Sequence, residues 1–152
     1  MTDPKRLSDG PLLAQAGGWI CGMEMERSGE DRRALGASGE DAAAEHLEGR
    51  GFRIVERNVR LGRGEIDLIA VDAGTVVFVE VKGNRGRRFG APEEMVTAVK
   101  QRRLTRLATW YLQRRGWLGR PARFDVVAVE WDAGGRAAVR HFPNAFPASG
   151  WW

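Results

Sequence analysis

The sequence predicts a single α/β domain in which a mixed central sheet is flanked by helices. The chain has 152 residues, which is enough for one domain with a substantial core. Hydrophobic residues make up 43% and charged residues 29%, values that are ordinary for a soluble globular protein. Helical and strand-like patterns follow in the order helix, three strands, helix, two strands, and this alternation is typical of α/β domains.

The first 32 residues are expected to form a disordered tail. They are rich in glycine, proline and polar residues, and no hydrophobic period is sustained. Leu12–Met25 has some apolar character but is interrupted by glycines and lacks a clear cleavage site, so it is not interpreted as a signal peptide. Met23 and Met25 are alternative candidates for the first residue of the native protein.

A first helix is predicted from Leu35 to the glycines at 49 and 51. Its buried face comprises Ala37, Glu40, Ala43, Ala44 and Leu47. An acid on an apolar stripe is unusual, which makes Glu40 a candidate functional residue. If Ser38 is the N-cap, however, Glu40 is simply a first-turn acid favoured by the helix dipole.

Three strands follow the first helix. The segment FRIVERNVR places Phe52 and Ile54 on one side, and a basic turn from Arg60 to Gly64 leads into GEIDLIAVDAGTVVFVEVKG. Asp72–Thr75 is a turn signal between two strands of that segment.

The second half of the domain repeats this alternation. Asn84–Gly90 is predicted as a basic glycine-rich loop and Thr97–Arg115 as a helix with a buried leucine stripe. RFDVVAVEW is predicted as a central strand and AAVRHF as the last one. The domain is expected to span 33–146, followed by a short tail, 147–152. The strand residue Asp125 is interpreted as a cap for a neighbouring backbone group, and His141 as a packed residue.

The hairpin brings four charged residues together if its turn is symmetric. Asp67 then lies opposite Glu80, and Glu65 opposite Lys82, all on one face, with cross-strand β-carbons about 5 Å apart. A three-residue loop ending in a left-handed Gly74 is the alternative, and it would place Asp67 on the opposite face.

Two facing carboxylates require a proton, a cation or a strand bend to relieve their repulsion. A hard cation such as Mg²⁺ or Mn²⁺ could be held by Asp67, Glu80 and the Val81 carbonyl, with Lys82 reaching water or a phosphate and Glu40 assisting. The alternative is a salt-bridged surface, in which Glu65 pairs with Lys82.

The pattern of Asp67 followed by Glu80-Val81-Lys82 resembles the D…(D/E)xK signature of restriction-endonuclease-like nucleases. From Arg33 to Phe146 the chain also looks like the YraN family of small bacterial proteins. The segments that carry this resemblance are LGASGEDAAAEHLEGRGFRIVERNVR, GRGEIDLIA, VVFVEVKG, FGAPEEMVTAVKQRRL, RFDVVAV and HFPNAF.

The resemblance implies a restriction-endonuclease-like fold similar to that of Holliday junction resolvases. It assigns Asp67 and Glu80 as metal ligands, Lys82 as the catalytic lysine and Glu40 as the acid of the first helix. Gln101 and Glu65 are possible accessory residues. Gly83-Asn84 replaces the Thr-Arg pair common in the family, which would loosen the following loop.

The basic residues predict contacts with DNA. The net charge is +4 and the pI is near 10, and phosphate contacts supply most sequence-independent affinity. The candidate residues are Arg60, Arg63, Arg85, Arg87, Arg88, Lys100, Arg102, Arg103 and Arg106. A solubilising charged surface is the alternative interpretation.

These patterns lead to the hypothesis of a Mg²⁺- or Mn²⁺-dependent phosphodiesterase acting on DNA. Branched or structured DNA is the candidate substrate, and a homodimer is the candidate assembly. The rival hypotheses are an inactive DNA-binding or protein-interaction module and a hydrolase of another phosphate compound. One cysteine excludes an intrachain disulfide, and no apolar run is long enough for a membrane span. A reducing cytoplasm is the expected compartment.

Overall fold

The computed structural model describes residues 29–85 and 90–149, and it confirms the predicted α/β domain. The elements are α1 (Gly29–Gly49), β1 (Arg53–Leu61), β2 (Gly64–Asp72), β3 (Thr75–Arg85), α2 (Pro92–Met95), α3 (Ala98–Arg115), β4 (Ala122–Trp131) and β5 (Ala137–Phe146). The strands form one sheet in the order β1-β2-β3-β4-β5. Only the β3–β4 pair is parallel, so the sheet is mixed as expected.

Two hydrophobic cores cover the two faces of the sheet. On one face α3 packs through residues such as Leu104, Leu107 and Tyr111 against strand residues including Phe78. On the other face α1 contributes Ala43, Ala44 and Leu47, which pack with Phe52, Leu68, Val77, Val79, Val127 and Val129. The sheet is therefore buried between one helix on each side, as the sequence pattern predicts.

The β2–β3 hairpin has the symmetric two-residue turn. Asp72 pairs with Thr75, and Ala73 and Gly74 both have positive φ values, 46° and 88°. This is the geometry of the tight turns that match strand twist. The alternative three-residue loop is therefore wrong, and the register predicted for this hairpin is confirmed from Asp72 back to Leu68.

Helix α1 begins earlier than the sequence pattern indicates. It starts at Gly29, before Leu35 and before the expected domain boundary at residue 33, so Ser38 lies inside the helix. The interpretation of Glu40 as a first-turn acid is therefore wrong. Most of the predicted N-terminal tail, with Met23 and Met25, lies outside the described residues, as do the last three residues of the chain.

Strand β3 also extends further than expected. Gly83, Asn84 and Arg85 pair with Val129, Glu130 and Trp131 of β4, so they do not belong to a loop. A β-carbon at Gly83 would lie 3.1 Å from the ring of Trp131, which shows that this ring packs directly over the glycine. The expectation that Gly83-Asn84 loosens the chain here is wrong, because the pair is held in the sheet.

The predicted second helix is confirmed as α3, with Thr97 as its N-cap and a left-handed Gly116 ending it. The short helix α2 precedes it and was not expected from the sequence. No helix within 29–85 and 90–149 is long and apolar enough to cross a bilayer.

A buried polar network ties β4 to β5 and to the hairpin. The fully buried Asp125 accepts from Arg123 Nε at 2.9 Å and from the Asn144 backbone N–H at 2.8 Å, and it lies 2.8 Å from His141 Nε2. Arg123 also reaches Asp72 at 3.0 Å. The expected roles are confirmed, since Asp125 caps a backbone group and His141 is packed.

Removing the charge of Asp125 should destabilise the domain. Burial raises the pKa of this carboxyl, but the His141, Arg123 and Asn144 hydrogen bonds outweigh it and hold the pKa below its ordinary value. Asp125→Asn should therefore lose roughly 2–4 kcal/mol in urea unfolding at pH 7. Because the folded pKa is lowered, this loss should shrink as the pH falls below about 4.

The matched control is Glu48→Gln, which removes an exposed acid of α1. It should stay within about 0.5 kcal/mol of the wild type. Equal stability of Asp125→Asn and wild type at pH 7 would contradict a structural role for the network.

Candidate active site

The candidate site lies where β2 and β3 separate. Their ladder runs from Asp72–Thr75 to Leu68–Val79 and stops there. Beyond that point the Val81 N–H donates to Asp67 Oδ2 at 2.8 Å instead of to a β2 carbonyl. The N–H and C=O of a strand residue point to the same edge, so the Val81 carbonyl also faces the gap that holds the Asp67 carboxylate.

A local bend of β1 and β2 produces this gap. Asn58 of β1 has a φ of 51° and lies between Arg57 and Val59, which pair with Leu68 and Ile66. Ile66 packs in the α3-side core whereas Leu68 packs in the α1-side core. Two residues of a regular strand separated by one position would share a face, so the alternation of β2 is broken at Asp67.

The bend changes the position predicted for Glu65. Its carboxylate pairs with Arg60 Nε at 3.6 Å, across the β1–β2 ladder, and the predicted pairing with Lys82 is wrong. The physical reason is that β2 and β3 are no longer hydrogen-bonded at this level. Glu65 still lies near the cluster, because its charge contributes to raising the pKa of Glu40.

Glu80 is the buried centre of the site. It is 4% exposed, and its Oε1 forms an ion pair with Lys82 Nζ at 3.1 Å and accepts a hydrogen bond from Lys100 Nζ. Glu80 and Lys82 thus share a face of β3, as predicted from strand periodicity. A single carboxylate oxygen receives two ammonium groups, one from the strand and one from the helix.

Lys100 has a different position from the one expected of a DNA contact. It lies in the first turn of α3, where its backbone N–H donates to the capping Thr97 Oγ at 3.3 Å, and its side chain turns into the acidic cluster. Burial disfavours the ammonium form, but the hydrogen bond and charge of Glu80 outweigh burial and raise the pKa of Lys100. Asp67 and Lys82 add to this effect. Lys100 therefore stays charged inside the site.

Asp67 is held in an environment that disfavours its ionised form. Burial is the largest cause and the Glu80 charge the next, and together they raise the pKa of Asp67 to about 7. The Val81 N–H opposes this shift, as does the charge of Lys100, whereas Glu40 adds to it. The two carboxylates are therefore close enough for their charges to interact, although Asp67 and Glu80 are not paired in the β2–β3 ladder.

Glu40 approaches the same point from α1. It forms a side-chain hydrogen bond with Asn58, the residue at the bend. Burial raises its pKa and the Asn58 bond lowers it, and with the charge of Glu65 the net effect is upward. Asn58 was not expected at the site from the sequence, although an asparagine inside a strand is a signal for a left-handed residue.

The donor atoms at the site are of the chemical type that binds a hard divalent cation. Asp67, Glu80 and the Val81 carbonyl supply oxygen only, which suits Mg²⁺ or Mn²⁺ with several waters retained. A cation would also relieve the repulsion between the two carboxylates. In the described part of the chain, no group of three or more acidic, histidine or cysteine side chains is arranged to hold a metal. Water and the backbone would therefore complete the coordination.

The remaining predicted residues lie at different distances from this cluster. Gln101 donates from Nε2 to the Val96 carbonyl at 2.9 Å, so it fixes the start of α3. Arg63 and Arg103 are exposed. The side chain of Arg85, and Arg87 and Arg88 as a whole, lie outside the described residues.

Comparison with known proteins identifies the family. The profile of uncharacterised protein family UPF0102 matches residues 39–129, which include every residue of the cluster. The chain belongs to the UPF0102 family. This is the YraN family, so the resemblance noted in the sequence is confirmed.

Individual UPF0102 relatives match most of the chain. The UPF0102 protein of Symbiobacterium thermophilum is 59% identical over 116 residues, covering 76% of this chain and 98% of that protein. The one from Syntrophotalea carbinolica is 46% identical over 120 residues, covering 79% and 97%.

Among solved structures, Pyrococcus furiosus SfsA in complex with Ca²⁺ matches with a TM-score of 0.36 and 16% identity. It covers 74% of this chain, and this chain spans 63% of its length. A likeness this weak supports no conclusion about the UPF0102 protein.

Neutralising Asp67 should stabilise this UPF0102 protein above neutral pH. Its folded pKa, about 7, is above the unfolded value of about 4, so ionisation of Asp67 opposes folding as the pH rises through this window. Asp67→Asn keeps an acceptor for the Val81 N–H. In EDTA it should raise the free energy of unfolding by roughly 1–3 kcal/mol at pH 8, and by much less at pH 5.

Urea unfolding at the two pH values measures this difference. Glu48→Gln serves again as the control, and it should show no such pH dependence. If Asp67→Asn were equally stabilising at pH 5 and pH 8, the carboxylate would not be ionising against Glu80.

Proposed function

We propose that this chain is a Mg²⁺- or Mn²⁺-dependent phosphodiesterase that cuts DNA, with branched or structured DNA as the preferred substrate. The observation that carries the proposal is the position of Asp67 in the gap between β2 and β3, beside Glu80 and the ammonium group of Lys82. This arrangement is the one expected for metal-assisted phosphodiester hydrolysis. It has one acid on each of two strands and a lysine two positions after the second acid.

The acids have the role of holding the cation. Asp67 and Glu80 would bind it from two strands, and the Val81 carbonyl from the strand edge between them. When bound, a divalent cation lowers the pKa of water and stabilises negative charge on phosphate oxygens. Asp67 binds a cation only when ionised, so its pKa of about 7 makes affinity rise between about pH 6 and 8.

Lys82 has the role of positioning water and phosphate. Its side chain is 26% exposed while it pairs with the buried Glu80, so its ammonium group is fixed at one end and accessible to a ligand. Three donors on one ammonium allow it to keep Glu80 and also bind an attacking water or a phosphate oxygen. Glu40, on the opposite side of the gap, is suited to accept a hydrogen bond from such a water.

A second candidate function is a DNA-binding module on the same fold that does not cut. One observation favours it: Lys82 and Lys100 already neutralise Glu80, which is the more buried of the two acids. In such a module the two ammonium groups take the place of the cation. The two functions make different predictions about cleavage and about metal binding.

Cleavage of labelled junction DNA in Mn²⁺ tests the enzyme. We expect wild type to cut, Asp67→Asn to be inactive, and Lys82→Ala to be slower by roughly 100-fold or more, because it removes the group that orients water. Arg136→Ala, in the exposed β4–β5 turn, is the control and should cut like wild type. Flapped and linear DNAs in the same series identify the preferred substrate.

Equal activity of Lys82→Ala and wild type would mean a contaminating nuclease or a wrongly placed site. Tight DNA binding with no cleavage by any protein would favour the non-cutting module.

Lys100→Met tests how the site prepares for a cation. The Lys100 ammonium occupies a Glu80 oxygen that a metal would use, so its removal should strengthen Mn²⁺ binding in calorimetry. Because the Lys100 side chain is 38% exposed, solvent screens its charge, and we expect about 1 kcal/mol, or roughly fivefold in affinity. Methionine preserves most of the side-chain volume.

Arg103→Met is the matched control, since it lies one turn further along α3 and is exposed. Its Mn²⁺ affinity should equal that of wild type. Weaker binding by Lys100→Met would contradict competition between this lysine and the metal, and would instead mean that the lysine organises the acids.

A further inference from the structure

We propose that the exposed stripe of α3 formed by Val99, Arg103, Arg106 and Trp110 binds an unpaired DNA strand. This inference rests on the proposed function in taking DNA as the ligand, and it goes further by naming the strand type and the surface. The stripe is separate from the acidic cluster and uses residues that the hydrolytic site does not need.

The spacing places these four side chains on one face of the helix. They are separated by four, three and four positions, which is the period of one helical stripe. The buried stripe of α3, with Leu104, Leu107, Ala108, Tyr111 and Leu112, faces the sheet. The four residues therefore line the outer surface.

The composition of the stripe is unusual for a solvated face. Val99 is 60% exposed and Trp110 45% exposed, and they are two of the three large hydrophobic residues that are exposed in the described part of the chain. Between them lie Arg103 and Arg106, which pair with no carboxylate among the described residues. An aromatic ring beside unpaired arginines offers stacking for a base and charge for a phosphate.

The β1–β2 turn extends this surface. A β-carbon at Gly62 would lie 3.7 Å from Trp110 Cζ3, so the indole ring lies beside the turn. Gly62 has a φ of 60°, a left-handed conformation that favours glycine, and its lack of a side chain lets the turn approach the ring. Arg63 follows in the same turn and is exposed. The turn thus contributes a third exposed arginine, adjacent in sequence to the glycine that lies beside Trp110.

The stripe begins at the hydrolytic site. Lys100, which contacts Glu80, is the neighbour of Val99, and Trp110 lies about 16 Å further along the helix axis at 1.5 Å per residue. A strand that follows α3 would therefore lead from Trp110 to the acidic cluster. Arg103 and Arg106 lie between these two ends of the stripe.

The occupant we infer is a single strand and not a duplex. Base faces are available for stacking on Trp110 only when the bases are unpaired, and stacking is independent of sequence. A duplex presents its phosphates to arginines but has its bases already stacked. Flaps and branch points, which join duplex to unpaired strand, are the substrates that such a surface selects.

Fluorescence anisotropy in EDTA measures binding without cleavage. The ligands are a labelled oligothymidine about a dozen nucleotides long, within the range bound by single-strand proteins, and a labelled duplex of the same length. We expect Trp110→Ala to weaken binding of the single strand roughly tenfold and to change duplex binding less than about twofold. Trp110→Phe, which keeps a ring, should retain most of the single-strand affinity.

Two further variants separate stacking from charge and from general exposure. The double variant Arg103→Ala/Arg106→Ala should weaken binding of both ligands. The slope of log affinity against log salt concentration should fall by the contribution of about two charges. Leu118→Ala removes the other exposed large hydrophobic residue, which lies beyond the end of α3 at 57% exposure, and should bind like wild type.

The proposal is overturned if Trp110→Ala binds the single strand with wild-type affinity. It is also overturned if this substitution weakens duplex binding by the same factor as single-strand binding. Thermal melts of each variant establish that it is folded. Binding is measured without metal, so this test is independent of the cleavage test. A protein that does not cut junction DNA could still bind the single strand through Trp110, and a protein that does not use Trp110 could still cut.

Discussion

The geometry of the site depends on one hydrogen bond, from the Val81 N–H to the Asp67 carboxylate. In a continuous hairpin that N–H would bond a β2 carbonyl, and the two strands would run side by side to the end. The Asp67 carboxylate accepts this hydrogen bond in place of a β2 carbonyl, so β2 and β3 separate while the Val81 N–H keeps a partner. A buried N–H without a partner would be costly, and the Asp67 side chain removes that cost where the two strands separate.

The same bond leaves an electrostatic problem that the rest of the site addresses. Asp67 is brought beside the buried Glu80, and their repulsion adds to the cost of burial. Two lysines compensate, but both bind Glu80 and neither has an ion pair with Asp67 among the described residues. The charge is therefore balanced at one acid and unbalanced at the other. In the proposed function, this asymmetry would favour a mobile cation beside Asp67, because a fully paired acid would gain little from binding one.

The sequence predicted the fold well because hydrophobic periodicity and turn signals are local. The register of the hairpin followed from Ala73-Gly74, and the buried faces of the helices from their apolar stripes. Glu80 and Lys82 were placed correctly because they lie on one regular strand. The start of α1 was missed because the residues from Gly29 to Arg33 carry no apolar period, and an apolar period was the signal that predicted the helices.

The parts of the site that were missed depend on tertiary geometry. Glu65 was assigned to the wrong partner because strand alternation was assumed to continue through Asp67, whereas the left-handed Asn58 breaks it. Lys100 was grouped with the surface arginines because its position on α3 suggests exposure. Several basic residues lie at the start of α3, and the one that turns inward is the one that contacts an acid. That acid is Glu80, which lies twenty positions earlier in the chain than Lys100.

Helix α3 connects the two surfaces that this chain would need to act on a branched substrate. A helix is rigid over four or five turns, so the distance between Lys100 at the acids and Trp110 at the β1–β2 turn is fixed by the fold. A flexible loop would hold a strand without defining where it enters the site. In the proposed function, a rigid stripe would instead set the separation between the unpaired strand and the phosphate at the acids. The structure of the DNA, and not its base sequence, would then determine which phosphate is presented, because none of these contacts depends on base identity.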